Sequence, residues 1–411
     1  MIIEDIYTSN SNGKVRVSAH ITYEECARQP LDIYFEVNSE HADYVSSNYE
    51  SFLLAAFPAA LYHKEKRIKI DGDLCSDLLM NIRAAMYLQK SWFGYQQDIP
   101  IIEVNGEIIH TIQGSTRETG CFLSGGVDSM ASLCRNVKLY PTGHSKRIRH
   151  AICVYGMDIG DPNKPKREDL FLHTLELLNG LTNKFGCKLV PVYTNVRLLE
   201  SNWLFYEELH FGSVLASIAH YLSNRISHCY IALDNRVDYY PPHGSHPFLN
   251  KYFNSSLITC ESTLDSYMRY EKYIFFKDIR EALAALRVCH NLKDIDLQQV
   301  NCCRCEKCTR TKLELLGQGV LDLATTFPDK TILIEDVKKL KISKKYQTEF
   351  VYGLLKPLSD LGRTDLVKIL QGEIHRYSTN SLGIPERIIK TIINGNEQLL
   401  NRIIKFRIIN K

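Results

Sequence analysis

Residues 116–320 predict a doubly wound α/β domain built on a parallel five-stranded sheet. Three observations carry that expectation. Short apolar runs alternate with helical patterns, as in repeated strand-and-helix units. The first run ends in a glycine turn that opens a helix, and sheets of this class bind ligands beyond the C-terminal ends of their strands. The composition is that of a globular protein: 411 residues, 45% apolar, 24% charged, with a net charge of +3. A nearly balanced charge argues against a nucleic-acid partner.

Residues 1–115 come first and read as an α+β module. Lys14 to His20 and Asp32 to Val37 alternate as strands do, and Tyr44 to Tyr62 and Leu74 to Met86 have helical spacing. Ile99 to Ile112 holds further strand-like runs around the Asn105-Gly106 turn signal. Dimerisation, partner binding and covering an active site are the roles open to this module. The five strands of the central domain follow: Phe122 to Ser124 ends the first, then His150 to Tyr155, Lys188 to Tyr193, His228 to Leu233 and Leu257 to Cys260. Glu168 to Phe185 and Glu207 to Asn224 are the main intervening helices. Residues 321–411 predict a helical extension with turn signals at Phe327-Pro-Asp-Lys330, Gly362 and Ser381 to Pro385. It ends in the apolar and basic stretch Asn401 to Ile409, read as an amphipathic element packed on the body. The basic cluster Lys338 to Lys345 has the spacing of a solvated face.

The most apolar stretch, Phe52 to Tyr62, is interrupted by Pro58 and is too short to span a membrane. The start, Met-Ile-Ile-Glu-Asp, is acidic where a signal peptide is basic. Thirteen cysteines, mostly scattered through apolar segments, fit buried thiols in a reducing compartment. A cytoplasmic protein is therefore expected.

The turn reads Cys121-Phe-Leu-Ser-Gly-Gly-Val-Asp-Ser129. Adjacent glycines permit close backbone approach to a ligand, while the free N–H groups and dipole of the helix start favour an anion such as phosphate. Ser124 and Ser129 add hydroxyl donors, and no Walker lysine follows the glycines. The plain alternative is a βα turn capped by serines. A second signal is Cys302-Cys303-Arg-Cys305-Glu-Lys-Cys308, with Cys289 upstream. Cys289, Cys302, Cys305 and Cys308 suit tetrahedral, structural zinc, leaving Cys303 outside the set and His290 as a weaker fourth ligand. An iron–sulfur cluster and redox thiols are the rival readings.

The turn resembles the SGGxDS signature of the PP-loop ATP pyrophosphatases, which cleave ATP between its α and β phosphates and adenylate a carboxylate, amide or similar oxygen. The resemblance implies that Ser124, Gly125, Gly126, Val127, Asp128 and Ser129 hold ATP, with Ser124, Asp128 and Ser129 catalytic and Asp128 near Mg²⁺. Taken with the cysteines, residues 118–315 resemble the QueC (ExsB) family, the 7-cyano-7-deazaguanine synthases, which implies a HUP-like PP-loop domain. Val154-Tyr155-Gly156 is similar to that family's Tyr-Gly-Gln and puts Tyr155 and Gly156 at the cofactor. Asp238 to Pro247 falls where the family has a Tyr-Pro-rich substrate loop.

Asp238, Tyr239, His243, Ser245 and His246 combine aromatic surface with hydrogen-bonding groups suited to a planar heterocycle, or form a Pro-Gly turn. Arg269 and Lys272 either neutralise phosphate or lie on a solvated helix face. Asp158 and Asp161 are further candidates for the nucleotide or metal, and Glu207, His210 and His246 for a general base. Met157-Asp158 replaces the family's Gln-Arg-His, Pro-Gly-Arg-Asn is missing, and His246-Pro247-Phe248 stands for Arg-Pro-Glu. With its extra modules, the chain looks more like the divergent QueC-like proteins of anti-phage operons, the QatC and CBASS-associated classes. The function implied is ATP-dependent activation of a carboxylate, that of a 7-deazaguanine, for amide, nitrile or protein-conjugate formation. The partners implied are a small-molecule substrate, a protein substrate or a defence complex, in an assembly open to homo-oligomers. A PP-loop tRNA-modifying enzyme and a catalytically silent nucleotide-binding scaffold are the alternatives.

Overall fold

The structure, a computed structural model, describes residues 1–110, 117–291 and 299–382. Its strands are β1 (Ile2–Ser11), β2 (Lys14–Thr22), β3 (Leu31–Asn38), β4 (Arg67–Ile70), β5 (Leu74–Cys75), β6 (Ile101–Val104), β7 (Ile108–Ile109), β8 (Glu118–Phe122), β9 (Ile148–Tyr155), β10 (Lys188–Thr194), β11 (Ile226–Ala232) and β12 (Thr259–Thr263). The fold is mixed α/β around one large, mostly parallel sheet of ten strands, ordered β12-β11-β8-β9-β10-β3-β2-β1-β4-β6. Antiparallel pairing is confined to the stretch from β10 through β3 and β2 to β1. β5 pairs with β7 apart from this sheet.

The five strands expected from the sequence are parallel neighbours in the order β12-β11-β8-β9-β10. They make only half of the sheet. β3 lies antiparallel to β10, with Val37 opposite Val192 and Glu36 opposite Tyr193. The N-terminal strands therefore extend the parallel block and satisfy the hydrogen bonds of what would otherwise be an open edge. The two groups of strands differ as burial demands. β9 is a nearly continuous buried run because helices cover both its faces, whereas β1 leaves most of its residues at least partly exposed.

Helices Val127–Leu139 and Glu168–Phe185 pack on one face, burying Val127, Met130, Leu170 and Phe171 with Cys121 and Cys153. On the other face, helices Tyr49–Tyr62 and Phe211–Tyr221 share a core with Phe35 and Ile152. The reversal of winding falls at β8, between β9 and β11. That places the glycine turn at the point where the two βα paths diverge, leaving a crevice beyond the strand ends.

After helix Glu306–Gly317, helices Ile334–Lys338, Gln347–Asp360 and Thr364–Leu382 follow. Leu354, Leu358 and Leu366 from this extension pack against Leu313. The basic stretch is paired with acids: Lys339 with Asp336 at 2.8 Å, Lys341 with Glu373 at 3.3 Å and Lys344 with Glu207 at 3.9 Å. The Asn401 to Ile409 stretch and most of the Ser381 to Pro385 turn lie outside the described residues. Among the described residues, no helix is long and apolar enough to cross a membrane.

Phe35 on β3 is fully buried, its ring 5.4 Å from that of Phe52 and 5.5 Å from that of Tyr221. It joins the N-terminal strands to the helix that precedes β11. Phe35→Ala is expected to destabilise the protein by about 3–5 kcal/mol, read by chemical denaturation. A loss below about 1 kcal/mol would show that this junction does not hold the two parts together.

Candidate functional site

The turn after β8 is shaped by its neighbours as well as by its own residues. Gly125 has φ +84°, and a Cβ there would lie 3.2 Å from both the Ala285 carbonyl and Arg287 Cβ. Arg287 N–H donates to Gly125 O at 2.9 Å, fastening the turn to the segment that leads to the cysteines. Ser129 Oγ donates to Gly126 O at 3.0 Å and accepts from Ser124 N–H at 3.2 Å. Helix Val127–Leu139 has no side-chain cap at Gly126. Its first N–H groups have no partner within the helix and form a positive end at the crevice.

Asp128, on that first turn, is held from two sides. Arg269 Nη1 and Lys272 Nζ each donate to it at 2.8 Å. Lys272 is fully buried and also donates to the carbonyls of Leu233 and Asp234 at 2.7 and 2.9 Å, which occupies all three of its protons. Arg269 Nε donates to Glu314 at 3.0 Å, and Glu314 also accepts from Tyr273 OH at 2.8 Å. Arg269 and Lys272 thus position Asp128, and Lys272 has no proton left for a ligand.

The crevice is a cavity of about 270 Å³. Ser124, Gly126, Val127, Asp128 and Ser129 line one wall, while Phe122, Ile152, Leu215 and Ile231 give it an apolar floor. Asp158, Arg287, His290 and Lys307 also line it, Arg287 next to the turn at Gly125. Among the described residues, none of these four forms an ion pair. Arg287 is 6% exposed, and its Nε has no hydrogen-bond partner. Asp234, Tyr240 and His243 complete the lining beyond β11. Burial alone would raise Asp234, but the His243 charge, the Tyr240 hydroxyl and Lys272 hold it below the usual carboxylate range. His243 Nδ1 accepts from Ser245 N–H at 3.1 Å, so the neutral ring carries its proton on Nε2 and is a donor.

The other candidates lie elsewhere. Tyr155 packs on Phe171 and Tyr193. Gly156, at φ +120°, permits close contact with Thr194, whose carbonyl would be 2.0 Å from an added Cβ. Asp238 is tied to Arg236 at 2.6 Å, and Tyr239 lies against the same guanidinium. Ser245 accepts from Asn250 at 3.2 Å. His246 accepts from Phe248 N–H at 3.1 Å, and burial, with the His243 charge, pushes it down to about 4. His210 bonds to the Ala55 carbonyl at 2.7 Å, and burial pushes it down to about 3, leaving it neutral and occupied. Asp161 pairs with buried Arg197 at 3.3 Å.

Cys289, Cys302, Cys305 and Cys308 do converge, with all four sulfurs within 4.8 Å of one another. Cys289 and Cys305 are 3.8 Å apart, and Cys302 and Cys308 are 3.9 Å apart. A tetrahedron with Zn–S bonds of about 2.3 Å has edges of about 3.8 Å. Hydrogen bonds from Cys289 and then Cys308 hold Cys305 well below the usual thiol range, while the same contacts push Cys289 and Cys308 up. The set is compatible with zinc. Cys303 turns away at φ +62°, towards the Asn301 carbonyl at 3.7 Å.

Sequence reasoning passed over Arg287, Lys307, Asp234 and Glu349. Glu349, from helix Gln347–Asp360, accepts from Arg269 N–H at 2.6 Å and Arg236 N–H at 3.3 Å. A lone glutamate in an amphipathic helix carries no signal of that reach. Comparison of the chain with family models, with curated proteins and with solved structures found no match.

Glu349 is 1% exposed, and burial pushes its carboxyl up to about 7 against the Arg269 N–H, Lys272 and the Arg236 N–H, which pull it down. The folded state therefore holds this proton more tightly than the unfolded chain. The resulting stability is fully present below about pH 4.5 and lost as pH rises through about 7. Relative to Glu349→Gln, the wild type is expected to lose about 3 kcal/mol between those limits, measured by denaturation at several pH values. A pH-independent difference would contradict this.

Proposed function

We propose that the crevice binds ATP with its phosphates on the Ser124–Ser129 turn and transfers AMP to a carboxylate, as the resemblance to the QueC family implies. The observation that carries this reading is the uncapped helix start at the winding reversal, which opens on a cavity where, among the described residues, Arg287 and Lys307 form no ion pair, whereas Arg269 does. A nucleotide triphosphate supplies the missing negative charge, and the apolar floor suits a planar ring. In the reaction, a carboxylate oxygen attacks the α phosphorus and pyrophosphate departs. The N–H groups of Val127, Asp128 and Ser129 offset the charge growing on that leaving group. Mg²⁺ would supply charge compensation when bound. Among the described residues, Asp158 and Asp234 are carboxylates of the cavity that form no ion pair, whereas Asp128 is already held by two cations.

The acid accepted is taken to be a 7-deazaguanine carboxylate, and the acyl acceptor ammonia or another amine. The HUP-like PP-loop architecture belongs to this reading, supported by the order of the five parallel strands. Zinc on the four thiolates would join the approach to the turn, through Cys289, to helix Glu306–Gly317, through Cys308. Its loss would loosen that wall.

With ATP, Mg²⁺ and 7-carboxy-7-deazaguanine, the protein is expected to release pyrophosphate and form AMP. Ser124→Ala should slow this by roughly a hundredfold. Release of inorganic phosphate instead, or tight nucleotide binding with no turnover on any carboxylate, would reject adenylation and favour a binding scaffold. Elemental analysis is expected to find one zinc per chain, lost in Cys305→Ser together with thermal stability. Iron, or a chain that is fully stable without metal, would reject the structural zinc site.

A further inference from the structure

The glycine turn lacks the lysine that follows the glycines of common phosphate-binding loops, so its cation must come from elsewhere. Lys307 lines the same cavity as the turn and, among the described residues, makes no hydrogen bond or ion pair. It is half-buried, on the first turn of helix Glu306–Gly317 and between two cysteines of the metal-compatible set, Cys305 and Cys308. Arg287 lines the same cavity, nearly fully buried, with Nε unpartnered and its backbone bonded to Gly125. Leaving a buried guanidinium without an acceptor is costly unless a ligand provides one.

We infer that Lys307, together with Arg287, is the phosphate clamp of this site, and that the cysteine cluster carries Lys307 into position. This rests on the reading of the turn as a nucleotide site and adds the residue outside the turn that binds the phosphates. It also gives the cysteines a role in ligand binding. An ion on Cys302, Cys305 and Cys308 fixes the backbone on both sides of Lys307, so the metal holds the clamp at its distance from the turn. Lys272 cannot substitute, because Asp128 and two carbonyls take all three of its protons, and Arg269 is already paired with Asp128 and Glu314.

The test is calorimetric binding of α,β-methylene-ATP, which cannot be cleaved between those phosphates, to the full metal-loaded chain with Mg²⁺. Inorganic pyrophosphate and adenosine serve as separate probes. Lys307→Met is expected to weaken α,β-methylene-ATP and pyrophosphate by roughly ten- to a hundredfold, while adenosine binding and metal content stay as in the wild type. Lys307→Arg should restore most of the loss. If Lys307→Met binds the nucleotide as tightly as the wild type, the clamp is wrong while the nucleotide site stands. Equal losses for adenosine and nucleotide, with no rescue by Lys307→Arg, would make Lys307 a structural residue and overturn the assignment. A wild type that binds neither nucleotide nor pyrophosphate rejects the nucleotide site and the clamp together.

Discussion

The pairing of Asp128 with Lys272 and Arg269 is the constraint on which the architecture around the crevice depends. Lys272 is fully buried and Arg269 nearly so, and buried charges are tolerated only when their partners are in place. Satisfying these two cations requires the helix after β8, the carbonyls at the end of β11 and Glu314 of the helix after the cysteines. Glu349 then fixes the backbone of Arg269 from the C-terminal extension. Four segments far apart in sequence are locked together by one polar network. Removing Asp128 or Glu314 leaves a buried cation short of a partner, a loss of about 3–5 kcal/mol for a buried pair.

Against that closed network, another part of the cavity lining is open. Among the described residues, Arg287 and Lys307 form no ion pair, although both lie in the field of Asp158 in the same cavity. The contrast separates two uses of charge in one small volume. Satisfied groups give the turn its shape, while unsatisfied ones give the cavity its appetite for an anion. The same logic assigns His243 and His246: one lines the cavity with its Nδ1 accepting from Ser245 N–H, and the other accepts a backbone N–H to start a short helix.

Much of this was legible in the sequence where the signal is local. The glycine turn, the four cysteines and helix Glu168–Phe185 each follow from residues within a few positions of one another. The extension of the sheet was not, because pairing of β3 with β10 joins Val37 to Val192, and no periodicity within either strand specifies its neighbour. The roles of Lys272 and Glu349 were hidden for the same reason. Their partners lie on other elements, and a lysine at helical spacing reads as solvated until the fold buries it. Tyr155 shows the converse. The resemblance of Val154-Tyr155-Gly156 to a family motif implied cofactor contact, and the structure packs its ring against Phe171 and Tyr193.

The central claim is that the crevice between the Ser124–Ser129 turn and the cysteine helix is the nucleotide site. Its most direct test is a crystal structure of the protein with α,β-methylene-ATP and Mg²⁺. The account predicts phosphate oxygens within hydrogen-bond reach of the N–H groups of Val127, Asp128 and Ser129, with the base over the apolar floor. Nucleotide density anywhere else on the protein, with this crevice holding only water, would contradict it.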